Sequence, residues 1–222
     1  MLSQVMNAES PLQAGAQPGS IWIEALQTWV DAKTWSDGVI YDTELVQTPF
    51  AAGAELWFFR SATFATGVRK DERYTNIVTP NSLPSGWYAK IHAMSIRVLQ
   101  TETAAGSGLF TTAEDVQRIM HEGVAWLYTA NEKTERALPI MMWQSPYGLT
   151  GSISRTGPAW TTWSVINNGV PSQGAIDEMR YPVELSNELT FQGRLRFPGG
   201  LTLDNNCMVM MELHCIQSRP LR

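Results

Sequence analysis

The stretch Leu189-Thr190-Phe191-Gln192-Gly193-Arg194-Leu195-Arg196-Phe197 alternates apolar or small residues with polar ones at a strict period of two. Successive side chains of a β-strand point to opposite faces, so this pattern predicts a strand with one face on a core and the other toward water. Pro198-Gly199-Gly200 then turns the chain. Past the turn, Cys207, Val209, Met211, Leu213 and Cys215 alternate with Met208, Met210, Glu212 and His214. Two successive strands of this kind predict an all-β antiparallel sandwich with one or two short helices.

Upstream, the same reading places strands over residues 38–46, 55–60 and 87–101, and an extended segment over 181–185. In the 87–101 stretch, Trp87, Ala89 and Ile91 share one parity while Met94, Ile96 and Val98 share the other. A period of two cannot hold all six on one face, so a β-bulge near Ala93 is expected to reset the register. A helix is expected from Thr111 or Thr112, as N-cap, to Gly123, with Glu114 and Asp115 in its first turn and an apolar stripe of Val116, Ile119, Met120 and Val124. Residues 124–128 read as a strand, 131–133 as a turn and 137–143 as the returning strand, which Pro139 assigns to a sheet edge or a late start. Residues 20–35 read as a short helix capped by Ser20, with Trp22, Leu26, Trp29 and Val30 at helical spacing, although Ile21-Trp22-Ile23 also suits a strand. Residues 67–86 and 144–180 are rich in Gly, Pro and Asn and read as long surface connections, the second holding a short strand at 160–165. Residues 1–19 lack periodicity and read as a flexible arm, leaving 20–222 as one domain.

The composition bounds the function. Among 222 residues only 17% are charged, against a usual value of about 25%. The net charge of −5 argues against a broad phosphate-binding face, which needs clustered cations. The pair Arg69–Lys70 and the tail Arg219-Pro220-Leu221-Arg222 read as solvated charges. No apolar run approaches the ~18 residues of a membrane span. Residues 1–7 lack the basic and apolar regions of a signal peptide, which predicts folding in a cytoplasm. Cys207 and Cys215, eight residues apart on one strand, would be about 26 Å apart at ~3.3 Å per residue, beyond disulfide reach. They are expected as free, buried thiols.

The chemistry-bearing residues are sparse. The three histidines, His92, His121 and His214, have no metal-ligand spacing. Glu212 shares a strand face with His214, beside Cys215, but a half-exposed polar face explains that grouping better than a metal. A Ser-His-Asp triad is spatial and so is not legible in residue order, yet no Gly-x-Ser-x-Gly elbow occurs. Phosphate-loop and dinucleotide fingerprints do not occur either. No residue is assigned as catalytic, metal-ligating or cofactor-binding, and no cofactor is expected. The nine tryptophans are read mostly as core, with a minority at protein contacts.

The order of these features resembles the jelly-roll major capsid proteins of tailless icosahedral bacteriophages, including those with an internal membrane. The likeness runs over residues 54–222. It comprises the strand at 55–60, Thr75-Asn76, Leu83-Pro84, the long strand at 87–101, the helix–strand–turn–strand unit at 114–143, Tyr181-Pro182-Val183-Glu184-Leu185, the strand to Phe197 and a last strand ending in the Arg-Pro-Leu-Arg tail. The resemblance implies a single jelly roll standing upright in a multimeric capsomer, without an active site. Its partners would be copies of itself and other capsid or vertex proteins, in an icosahedral shell assembled around a genome in a host cytoplasm. The alternative reading is a carbohydrate-binding β-sandwich module, lectin-like or receptor-binding. An uncharacterised β-sandwich enzyme stands third.

Overall fold

The computed structural model describes residues 20–23, 28–31, 35–99, 113–129, 133–143, 178–204 and 206–218. The expected arm, the strand at 160–165 and the basic tail lie outside them. In chain order the elements are β1 (Ser20–Ile23), β2 (Thr28–Asp31), β3 (Trp35–Val46), β4 (Glu55–Phe58), β5 (Tyr88–Leu99), α1 (Ala113–Glu122), β6 (Val124–Thr129), β7 (Lys133–Pro139), a 3-10 turn (Ile140–Met142), β8 (Glu178–Ser186), β9 (Phe191–Arg196) and β10 (Cys207–Ser218). The helix expected over 20–35 is replaced by strands: β1 and β2 pair antiparallel, Ser20 opposite Asp31. Tryptophan, isoleucine and valine favour extended backbone when a partner strand is present, which overrides weak helical spacing.

The other strands form two four-stranded antiparallel sheets, ordered β3-β10-β5-β8 and β4-β9-β6-β7. The pairing is nested. β6 pairs with β7, β5 with β8, β4 with β9 and β3 with β10. Rolling that nested ribbon brings β10 against β5 and β9 against β6. This is the connectivity of a single eight-stranded jelly roll.

The expected bulge is present. His214 pairs with Ala93 but Cys215 pairs with Ile91, so His92 is the extra residue on β5. The slip returns Ala89 and Ile91 to the same side as Met94, Ile96 and Val98, and all five are buried. β4 stops two residues earlier than expected because Phe59 adopts a positive φ of 64°, outside the strand region. β7 ends at Pro139 instead of running to 143, and it is an edge strand. Proline lacks the N–H that a continuing ladder would use.

The helix runs nearly as expected, but Val124 belongs to β6 and not to the apolar stripe. Gly123 joins the two because a Cβ there would collide with the Ile140 side chain and the Ile119 carbonyl. Gly193 on β9 faces the core, where the Met211 thioether and Phe58 fill the space a side chain would need. Cys207 and Cys215 are free and buried. Among the described residues, no helix is long and apolar enough to cross a membrane.

Candidate functional site

Three groups of polar side chains are built on the sheets. The first lies on the outer face of β4-β9-β6-β7. Trp57, Arg194 and Trp126 are cross-strand neighbours in one row. The Arg194 guanidinium lies 4.5 Å from the Trp126 ring, 5.0 Å from Tyr128 and 5.7 Å from Trp57. Arg194 also pairs with Glu55 at 3.0 Å. The electron-rich ring faces attract the cation, and the planar guanidinium suits stacking. Trp57 and Trp126 thus stand on the outer face and not in the core. Of the four whose side chains are described, only Trp143 is fully buried, while Trp57, Trp87 and Trp126 are half-buried.

The second group lies on the outer face of β3-β10-β5-β8. Ser95 Oγ donates to Glu212 Oε2 at 2.8 Å and lies 2.9 Å from His214 Nε2. Arg97 closes an ion pair with Glu212. A hydroxyl has one hydrogen, so giving it to Glu212 leaves His214 Nε2 as the donor to Ser95. In this arrangement the three side chains form a hydrogen-bond network in which Ser95 gives its proton to Glu212. Burial, then the nearby charges of His92 and Arg97, lowers the His214 pKa to about 4. Cys215 points to the opposite face, toward the Gly38 carbonyl, which separates it from Glu212 and His214. Among the described residues, no group of three or more metal-ligating side chains converges.

The third group is the one the sequence reading missed. Asp42 and Glu44 sit opposite Met211 and Val209 and so face the core. Between them enters Lys70, delivered by the connection from β4 to β5. Its Nζ lies 2.9 Å from Asp42 Oδ1 and 3.0 Å from Oδ2, and it also bonds Glu44 Oε1. The Lys70 and Asp42 side chains have 0% exposure and that of Glu44 has 7%. Lys70 was expected in water with Arg69; Arg69 is exposed, but Lys70 is buried. The buried carboxylates explain the difference, since an ammonium enters a core only against opposite charge.

Hydrogen bonds at Phe59, Asn76 and Asn81 tie the connection over 59–87 to the roll. Asn76 accepts the Tyr41 N–H at 2.9 Å and donates to the Val39 carbonyl at 2.6 Å. This covers the free edge of β3, a site where exposed ladder groups would otherwise recruit other strands. Phe59 N–H donates to Asp42 Oδ2 at 2.6 Å, and its carbonyl accepts from Asn81 N–H at 2.7 Å. These two bonds hold Phe59 in its left-handed conformation, a strained one for a residue with a side chain. Burial outweighs the attraction of Lys70 and raises both carboxyls, Glu44 to about 7.

One signal for this site was present in the sequence. Ile40, Asp42, Glu44 and Val46 share a parity, so two acids stand on an otherwise apolar face. No family model, curated protein or solved structure matches this chain.

Proposed function

We propose that this chain is a structural capsid subunit that associates with its own copies into capsomers of an icosahedral shell. The observation that carries the reading is the nested strand order of a single jelly roll. One fold hosts many functions, so this support is fold-level analogy. It joins the order of sequence features that resembles the phage coat proteins. The surface adds to it: Tyr181 on edge strand β8 is 78% exposed, and Met141 and Met142, just past edge strand β7, are also exposed. Large apolar side chains left in water at sheet edges suit contacts between subunits. On this reading the work of the protein is assembly, in a host cytoplasm and then in a virion, alone or with other coat proteins.

Light scattering of the purified protein followed by negative-stain imaging tests this. Multimers or shells are expected, and a Tyr181→Asp/Met142→Asp variant should dissociate while keeping its circular dichroism spectrum. A wild-type chain that stays monomeric at high concentration overturns the reading.

The carbohydrate-binding alternative rests on the half-buried Trp57 and Trp126, with the buried Tyr128 beside them on the same sheet face. Arg194 is lodged between them, where a sugar ring would stack. Glycan binding that quenches tryptophan fluorescence, lost in Trp126→Ala, would favour this alternative.

A further inference from the structure

The core of the roll holds an amine in contact with two carboxyl groups, and the roles of the three can be told apart. We propose that Lys70 and Asp42 become joined by an intrachain amide bond, with Glu44 carrying the protons. Both Asp42 oxygens hold Nζ, at 2.9 and 3.0 Å, so the carboxyl group is kept against the nitrogen as a two-point ion pair, and a rotation of that group is what would turn the face of its carbon to the amine. Reactive geometry requires attacking and attacked atoms roughly 3–3.5 Å apart and aligned. Glu44 meets the same Nζ through one oxygen only, which suits proton transfer more than attack.

The surroundings favour the reaction. Phe59 N–H, 2.6 Å from Asp42 Oδ2, is placed to stabilise negative charge as it develops on that oxygen. A fixed donor of this kind acts most strongly where water is excluded. The walls are apolar: the Phe64 ring lies 5.4 Å from Nζ, Phe59 stacks on Phe191 at 5.3 Å, and Ile40 and Val46 flank the acids on β3. The positive φ of Phe59 is what aims its N–H inward, which gives the strained residue a purpose. The raised carboxyl pKa values add that an un-ionised acid is accessible here.

The step balances within the three side chains. The Glu44 carboxylate takes one proton from the Lys70 ammonium. The freed lone pair of Nζ attacks Cγ of the protonated Asp42 carboxyl and forms the C–N bond. Glu44 returns its proton to the Asp42 hydroxyl, the C–O bond breaks and water leaves. Glu44 then removes the surplus proton from nitrogen and ends as the acid. No oxidant or cofactor enters. The bond ties β3 to the connection after β4 and does not depend on the capsid reading.

Mass spectrometry of the intact, denatured full-length chain is the test, followed by proteolysis and peptide mapping. The folded wild type should be lighter than its sequence by one water, with the Asp42 peptide joined to the Lys70 peptide. Lys70→Arg, which keeps the cation, and Glu44→Gln, which keeps the shape, should fold and retain the full mass. A folded wild-type chain at full mass, with the two peptides separate, overturns the proposal. So does a cross-link that maps to Glu44, which would reverse the roles of the two acids. Both outcomes are read on the wild type, so the test survives a variant that fails to fold.

Discussion

In the sheet β4-β9-β6-β7, burial follows the alternation written in the sequence: Phe191, Gly193 and Leu195 are buried, while Gln192 and Arg194 are half-exposed and Arg196 is exposed. In the sheet β3-β10-β5-β8, burial ignores it. Asp42 and Glu44 point into the core, and Ser95 and Glu212 are buried on the opposite face. The first sheet is held by apolar packing on one side and open stacking on the other. The second has charges to satisfy on both faces. Its polar contacts are therefore stability-critical in a way that those of the first sheet are not, because an unpaired buried charge costs far more than an exposed one.

The sharpest way to break this contrast is to remove the cation from the core. Lys70→Ala leaves two buried acids without a counter-charge, and urea unfolding should show a loss of about 3–5 kcal/mol. A loss near that of a surface substitution would remove the distinction between the sheets. Gly193→Ala probes the apolar side. Its methyl group must displace Met211, so a loss of about 1–3 kcal/mol is expected, and in a cycle with Met211→Ala the loss of the double variant should be smaller than the two single losses added together. Arg194→Ala probes the open face. Stacking and a half-exposed ion pair together predict a loss of only about 1 kcal/mol in the same assay.

The pH dependence sharpens the comparison within the doubly buried sheet, because its two faces respond with opposite sign. Glu44 has a folded pKa of about 7, above its ordinary 4.5. Its contribution is fully present below pH 4.5 and is lost as pH rises toward 7. His214 has a folded pKa of about 4, below its ordinary 6.5. Its contribution is present above pH 6.5 and is lost as pH falls toward 4. Urea midpoints followed across that range should lose their acid-side fall in His214→Gln and their rise-side loss in Glu44→Gln. If either variant leaves its limb unchanged, the corresponding face does not hold the charge assigned to it.

The strands with one wet face were legible from residue order. Alternation found β9 and β10, the clash of parities in 87–101 located the bulge within one residue of His92, and Pro139 marked an edge. The 20–35 segment was misread because strand and helix propensities there differ by less than the energy of pairing with a neighbour. The described tryptophans divide between Trp143 and Trp87, in or against the core, and Trp57 and Trp126 around a cation on the open face; residue order does not separate the two because a large side chain is stabilised in either place.

What the sequence by itself determined is therefore the period-two chemistry: β class, the alternation of faces within the clearest strands, the place where β5 bends, and two thiols too far apart to bridge. Those are local consequences of backbone geometry and side-chain polarity. Only the tertiary structure decided which strands are neighbours and where Lys70 goes. Its carboxylate partners lie 26 and 28 residues earlier in the chain. A lysine in a loop looks the same in sequence whether it meets water or a buried acid. The roll closes over that pair because long-range pairing of β3 with β10 turns Asp42 and Glu44 inward, and the connection from β4 must then bring them a positive charge.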